Sequence, residues 1–198
     1  PGPTTFVLVP GAGGDPWYWH LLVPKLEARG REAVPVALPA ANENAGLREY
    51  TDADFKALGD RDPRRVVLVA QSLGGFTAPL VCERVPVRAL VLVNAMIPKP
   101  GERAGEWFAS TRQNEAKGEQ NIRDARSADA PFDPLADLFH DVPQPVTEEA
   151  WARGAPSWRA RASLTAAATS AVDVPSSLLA ASSRGSSART SMRSSMRS

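Results

Sequence analysis

The chain alternates short, unbroken apolar runs with stretches whose apolar residues recur at helical spacing. A short apolar run between turn-forming residues is typical of a parallel strand that is buried on both faces. Such runs predict four strands, over residues 6–9, 33–38, 66–69 and 89–93. Because Pro35 has no N–H to donate to a neighbouring strand, we expect the second strand to lie towards an edge of the sheet.

Helical stretches separate the predicted strands. Asp15 followed by Pro16 is typical of a helix start, because the aspartate caps the first turn and proline needs no N–H there. The pattern predicts one helix from there to near Gly30, then helices over 52–58 and 73–84. Strands that alternate with helices indicate an α/β fold, with a parallel, doubly wound sheet covered by helices on both faces.

Residues 98–150 lack strand-like runs and are rich in proline and charged residues. Apolar residues still recur there, including Trp107, Phe108 and Leu138. We interpret this stretch as a lid, made of helices and loops that lie over the sheet. A surface insertion without a role is the alternative.

Composition divides the chain near residue 150. Residues 1–150 carry 16 Lys and Arg against 21 Asp and Glu, whereas residues 151–198 carry seven Arg against one acid, Asp173. The second segment has few large apolar side chains to offset the entropy of ordering it, so we predict that it is partly disordered. We therefore expect a folded unit over 1–150 and a Ser/Arg/Ala-rich segment over 151–198. A changed reading frame in a GC-rich gene and a genuine tail are alternative origins for this segment.

Several function classes are disfavoured. The single cysteine, Cys82, excludes an internal disulfide. No apolar stretch approaches the roughly 18 to 20 residues of a membrane span, and the N-terminus lacks a signal pattern, so we expect a cytoplasmic protein. The loop over residues 10–14 lacks the third glycine of a dinucleotide-binding motif, and we expect no cofactor and no metal. The seven arginines of 151–198 support a nucleic acid partner only weakly, and we expect none. Binding of this segment to an acidic partner, nucleic acid or membrane is the alternative.

Ser72 lies between small residues at the end of the third predicted strand, in the sequence AQSLG. The pattern small-x-Ser-x-small is typical of a nucleophile elbow, a sharp strand-to-helix turn at the carboxyl end of a parallel sheet. The N–H of Leu73 opens the next helix and is a predicted donor to a developing negative charge. The glycine-rich loop ends at the same sheet edge, and the N–H of Ala12 is the second predicted donor.

Four further residues near this edge are predicted to line a substrate pocket: Gly11, Gly13, Trp19 and Gln71. The alternative is that serine and glycine only form a tight turn. The position of the motif after the third strand, with a glycine-rich loop after the first, favours a nucleophile.

Three separated stretches follow one another along the chain: FVLVPGAGGDPWYWHLLVPKLEARGREAVPVALPA, RRVVLVAQSLGGFTAPLV and ALVLVNAMIP. Together they resemble the α/β-hydrolase superfamily, in its branch of small-molecule esterases and plant hydroxynitrile lyases. The resemblance implies that Ser72 is the nucleophile and that Ala12 and Leu73 form the oxyanion hole. It also implies the strand order second, first, third, fourth. Ala70 stands where the family usually has glycine, and Pro10 stands where it often has histidine.

The resemblance also implies an acid and then a histidine after the nucleophile. The chain has only two histidines, His20 before Ser72 and His140 in the predicted lid. Residues 172–180 look like the strand before the acid loop, yet residues 181–198 contain neither a carboxylate nor a histidine. We therefore expect a sheet of α/β-hydrolase type that lacks its last strands. We also expect a serine hydrolase that acts on a small ester and whose catalytic triad is incomplete in this chain. A non-catalytic small-molecule binder or an inactive truncated product is the alternative.

Overall fold

The computed structural model describes residues 2–42 and 44–153, and within them the chain forms a four-stranded parallel sheet. The strands are β1 (Thr5–Val9), β2 (Glu32–Pro35), β3 (Val66–Gln71) and β4 (Ala89–Val93). Their order is β2-β1-β3-β4, which confirms the predicted order, and β2 with Pro35 lies at an edge as predicted. The predicted strand over 172–180 and the predicted disorder after it lie outside the described residues.

Helices connect and follow the strands. They are α1 (Val23–Glu27), α2 (Leu47–Leu58), α3 (Gly74–Arg84), α4 (Ala104–Ser110), α5 (Gln113–Arg123), α6 (Pro134–Leu138) and a helical stretch over 144–153. No helix of the described ranges is both long enough and apolar enough to cross a membrane.

The first helix differs from its prediction. Asp15 caps as expected, since its Oδ1 accepts a hydrogen bond from the Trp17 N–H at 2.8 Å. However, only a 3-10 turn over Pro16–Trp19 follows, and α1 begins separately at Val23. Pro24 has no N–H to continue the earlier turn, so one uninterrupted helix was a wrong prediction. In contrast, α2 begins earlier than predicted, where the Glu49 side chain accepts the Gly46 N–H at 2.7 Å.

Helices cover the sheet on two faces, as the alternation of elements predicted. Val7 and Leu68 pack with residues of α2 and α3 in one buried cluster. Leu8 and Val69, the next residues along the same strands, pack with Leu22 and its neighbours of the first helical region in another. Successive strand residues point to opposite faces, so the two clusters mark the two sides of the sheet.

The segment after β4 is helical, as predicted, and is held together by a polar network. Asp137 of α6 accepts hydrogen bonds from Lys117 of α5 at 2.9 Å and from Arg126 at 2.6 Å. Burial disfavours its charge, but these donors and the Asp133 N–H hold the pKa of Asp137 down at about 2. Asn121 of α5 is almost fully buried and donates to the carbonyl of Ala128 at 3.2 Å. These contacts fix α5 against α6.

Candidate active site

Ser72 occupies the single residue between β3 and the residue that caps α3. Its backbone has a φ of 50°, in the left-handed region that residues other than glycine rarely adopt. The strained backbone that the sequence predicted at Ser72 is therefore present. Strain of this kind clusters at functional sites, where the surrounding structure holds it in place.

Three glycines allow the chain to approach Ser72 closely. A Cβ on Gly11 would lie 3.0 Å from the Ser72 Cβ and 2.3 Å from the Gln71 Oε1. A Cβ on Gly74 would lie 3.0 Å from Val9 Cγ1, and one on Gly75 would lie 1.8 Å from the Met96 carbonyl oxygen. Sterics therefore require glycine at position 75 and favour it at position 74, and Gly11 leaves room for the loop after β1 beside Ser72.

Two backbone donors flank this serine. Within residues 2–42 and 44–153, neither the Ala12 N–H nor the Leu73 N–H has a hydrogen-bond acceptor. Leu73 immediately precedes the first turn of α3, and Ala12 follows Gly11, where an added Cβ would lie 3.0 Å from the Ser72 Cβ. Free N–H groups at a helix start favour negative charge nearby. The arrangement suits an oxygen that gains negative charge beside Ser72.

The backbone of Ser72 is tied to the segment that leaves β4. The Ser72 N–H donates to the Val93 carbonyl at 3.3 Å, and the Ser72 carbonyl accepts from the Met96 N–H at 2.9 Å. Beyond it, Trp107 and Phe108 of α4 pack with Phe76 and Met96. The segment that leads from β4 into the predicted lid is therefore hydrogen-bonded to the Ser72 backbone.

The helical stretch over 144–153, which continues past the excursion, meets the segment after the glycine-rich loop. The Arg153 guanidinium lies 5.2 Å from the centre of the Trp17 ring, and its Nη1 lies 4.0 Å from Asp15 Oδ2. Asp15 and Trp17 directly follow the glycine-rich loop. The residues that flank the excursion on both sides, Met96 and Arg153, thus contact residues at or just after the carboxyl edge of the sheet.

Within residues 2–42 and 44–153, neither histidine forms a hydrogen bond with Ser72. The His20 ring stacks on Trp17 at 4.0 Å, and its Nδ1 lies 2.9 Å from the Trp17 carbonyl oxygen. His140 is exposed in the turn after α6. In the part of the chain that the structure describes, no three His, Cys, Asp or Glu side chains gather in a way that could hold a metal ion.

The predicted pocket residues fall into two groups. Gln71 directly precedes Ser72, and an added Cβ on Gly11 would meet the side chains of both. Gly13 lies in the turn that is closed by a 3.0 Å hydrogen bond from the Gly14 N–H to the Gly11 carbonyl. Trp19 is only 5% exposed and packs with Leu8 on the α1 face of the sheet. A pocket role for Trp19 therefore stays a prediction that no contact in the structure supports.

The sequence reasoning missed a buried carboxyl between α2 and α3. Thr77 Oγ1 donates to Asp54 Oδ2 at 2.6 Å, while Asp54 Oδ1 has no partner among the described residues. Burial raises the pKa of Asp54 to about 7, against the opposing effect of the Thr77 hydrogen bond. The sequence did contain a signal for this burial, because Asp54 lies four residues from both Tyr50 and Leu58 and so shares the apolar face of α2 with them.

It also missed Asn94, which follows β4 and has a left-handed φ of 45°. Asparagine tolerates this region better than most residues, but no local pattern in the sequence required it there. The conformation depends on the tertiary contacts around Ser72.

Comparison with known proteins places the fold. The sequence model described as "Alpha/beta hydrolase family" matches residues 6–197. The chain is 36% identical over 110 residues to a probable esterase, PIR7A, of Oryza sativa subsp. indica, covering 50% of this chain and 42% of that protein. It is 30% identical over 146 residues to salicylic acid-binding protein 2 of Nicotiana tabacum, covering 68% of this chain and 55% of that protein. The chain spans about half the length of these curated relatives.

A solved structure shows the same architecture. An extracellular α/β-hydrolase from a Paenibacillus species superposes with a TM-score of 0.58 at 20% sequence identity. The superposition covers 77% of this chain and 66% of that one. At this identity the likeness establishes the fold alone.

Proposed function

The chain belongs to the alpha/beta hydrolase family, and from that premise we propose that it is a serine esterase-type protein for a small ester, with Ser72 as its nucleophile. The observation that carries the proposal is the strained Ser72 backbone beside two N–H groups, those of Ala12 and Leu73, that have no acceptor among the described residues. Curated relatives named as esterases support the reaction class.

The chemistry follows from the positions of these groups. Ser72 Oγ attacks the ester carbonyl carbon, and the negative charge that develops on the carbonyl oxygen accepts hydrogen bonds from the Ala12 and Leu73 N–H groups. Collapse of the intermediate expels the alcohol and leaves an acyl group on Ser72, which water then removes as the carboxylic acid. Water takes the proton of the Ser72 hydroxyl and returns one to the departing alkoxide, which leaves as the alcohol. Residues 98–150 act as a lid over the bound ester.

We propose that the triad is incomplete in this chain. His20 bonds the Trp17 carbonyl, and His140 is exposed. Without a positioned base, water must accept the serine proton, and general base assistance is typically worth about 100- to 10,000-fold. Residual catalysis from binding and the oxyanion hole exceeds the uncatalysed rate by roughly 1,000-fold or more. The expected activity is therefore weak but measurable.

A non-catalytic small-molecule binder is the second candidate. The lack of an adjacent histidine favours it, and one relative is named for binding salicylic acid. In that case the free N–H groups of Ala12 and Leu73 would hold the carboxylate or carbonyl oxygen of a ligand without reaction.

Covalent labelling separates these candidates. We expect a fluorophosphonate to label the purified chain slowly at one site, and Ser72→Ala to abolish both the label and the weak hydrolysis of p-nitrophenyl acetate. Ser127→Ala, which removes an exposed serine of the excursion, is the matched control and should change neither. Label on the Ser72→Ala chain, or none on the natural one, would rule out Ser72 as the nucleophile.

A further inference from the structure

Two residues with left-handed backbones lie side by side at the carboxyl ends of neighbouring strands. Ser72 has a φ of 50° and Asn94 has a φ of 45°. The register pairs Gln71 with Val93, so Ser72 and Asn94 are the next residues along the two strands. Adjacent strands lie about 4.8 Å apart, which puts Asn94 beside the nucleophile. The only other described non-glycine residues with positive φ, Arg112 and Ala125, lie in the excursion after β4.

Hydrogen bonds to Ser72 bracket Asn94. Val93, which precedes Asn94, accepts from the Ser72 N–H, and Met96, two residues after it, donates to the Ser72 carbonyl. Gly75 makes this loop possible, because any Cβ there would overlap the Met96 backbone. The loop that carries Asn94 is therefore fixed against the candidate nucleophile on both sides.

The Asn94 side chain has an unused amide. It is exposed, and within residues 2–42 and 44–153 no hydrogen bond involves it. A left-handed backbone is strained for a non-glycine residue, and glycine would avoid that strain. An amide offers an N–H donor and a carbonyl acceptor together, which matches a hydroxyl group, since a hydroxyl both donates and accepts.

We propose that Asn94 determines specificity by binding a hydroxyl group of the substrate, a few bonds away from the carbonyl that Ser72 attacks. The inference rests on the proposed function for the location of the ester. It adds a substrate class, small hydroxylated esters, in which the hydroxyl lies on the β4 side of the reacting carbonyl.

The test uses two unreactive amides that differ by one hydroxyl, 3-hydroxybutanamide and butanamide. Their dissociation constants are measured by NMR titration of the ¹⁵N-labelled chain, following the Asn94 side-chain resonances and the amides around Ser72. One hydrogen bond typically contributes about 1 kcal/mol, so 3-hydroxybutanamide should bind about fivefold more tightly. Asn94→Gly should remove this preference, because glycine keeps the backbone conformation and lacks the amide.

Ala125→Gly is the matched control, since it makes the same kind of change at a left-handed residue of the excursion and should keep the preference. The proposal is overturned if the natural chain binds both amides equally, if it binds neither, or if Asn94→Gly retains the preference. Fluorophosphonate labelling of Ser72 is scored separately. A preference that depends on Asn94 without labelling would overturn the esterase proposal and leave the binding role of Asn94 standing.

Discussion

Strands β3 and β4 are neighbours with similar sequences, VVLVAQ and ALVLV, but they lie in different surroundings. Every residue of β3 except Gln71 is buried, whereas β4 alternates between exposed and half-buried residues. Val69 is 6% exposed and its direct partner Val91 is 41% exposed. Leu90 and Leu92 pack against the cluster beneath α2 and α3, but the opposite face of β4 is exposed.

This difference shows that an apolar run predicts the presence of a strand but not how deeply each of its faces is buried. Both sequences are typical of strands buried on two faces. For β4, the described residues supply that burial on one face only. The run identified the strand correctly, but the degree of burial depends on the helices that lie over each face. The difference between covered and uncovered positions can be tested in three ways.

The largest effect should come from Asp54, the fully buried carboxyl on the covered side. Its pKa is about 7 in the folded chain against an ordinary value of 3.8. Between these pH values the folded state keeps a proton that the unfolded state has lost, so this group lowers stability as the pH rises from 4 to 7 and adds no further change above 7. At 1.36 kcal/mol per pH unit, the loss is about 4 kcal/mol.

Asp54→Asn should remove this slope. In urea unfolding at a series of pH values, the free energy of unfolding of the variant, relative to that of the natural chain, should rise by about 4 kcal/mol between pH 4 and pH 8. Asp52→Asn, on the exposed side of the same helix, should leave the natural pH dependence nearly intact. A stability difference between Asp54→Asn and the natural chain that is constant with pH would contradict the raised pKa.

The second effect compares two leucines that pair directly, Leu68 of β3 and Leu90 of β4. Leu68 has no exposed surface, while Leu90 is partly exposed. Leu68→Ala should lower the free energy of unfolding by about 3 kcal/mol, since it leaves a cavity as well as losing apolar burial. Leu90→Ala should cost about 1 kcal/mol, because part of its side chain already meets solvent. Equal losses in urea unfolding would mean that β4 is as well covered as β3.

Local patterns explain most of what could be predicted. Apolar runs identified all four strands, and β4 has the predicted bounds. The small residues around Ser72 predicted its strained backbone, although the atoms that restrict Gly74 and Gly75 belong to Val9 and Met96, which are distant in sequence. The first helix shows where this kind of prediction fails. Apolar residues continue at helical spacing through Pro24, but proline has no N–H to donate to the preceding turn, so the helix is interrupted there.

Long-range contacts explain what was missed. The left-handed backbone of Asn94 depends on hydrogen bonds to Ser72, which lies more than twenty residues earlier. The contact of Arg153 with Trp17 joins segments that are far apart in the sequence. The roles of Ser72, Ala12 and Leu73 stay predictions that the labelling experiment tests.

The smallest effect concerns the faces of β3 and β4 opposite α2 and α3. Val69 and Val91 are paired valines on that face, so Val→Thr at each position makes the same change of shape and keeps a β-branched side chain. Val69→Thr buries a hydroxyl and should cost about 1 to 2 kcal/mol in urea unfolding. Val91→Thr leaves its hydroxyl in contact with water and should stay within about 0.5 kcal/mol of the natural chain. A loss at Val91 as large as that at Val69 would mean that this face of β4 is covered in solution.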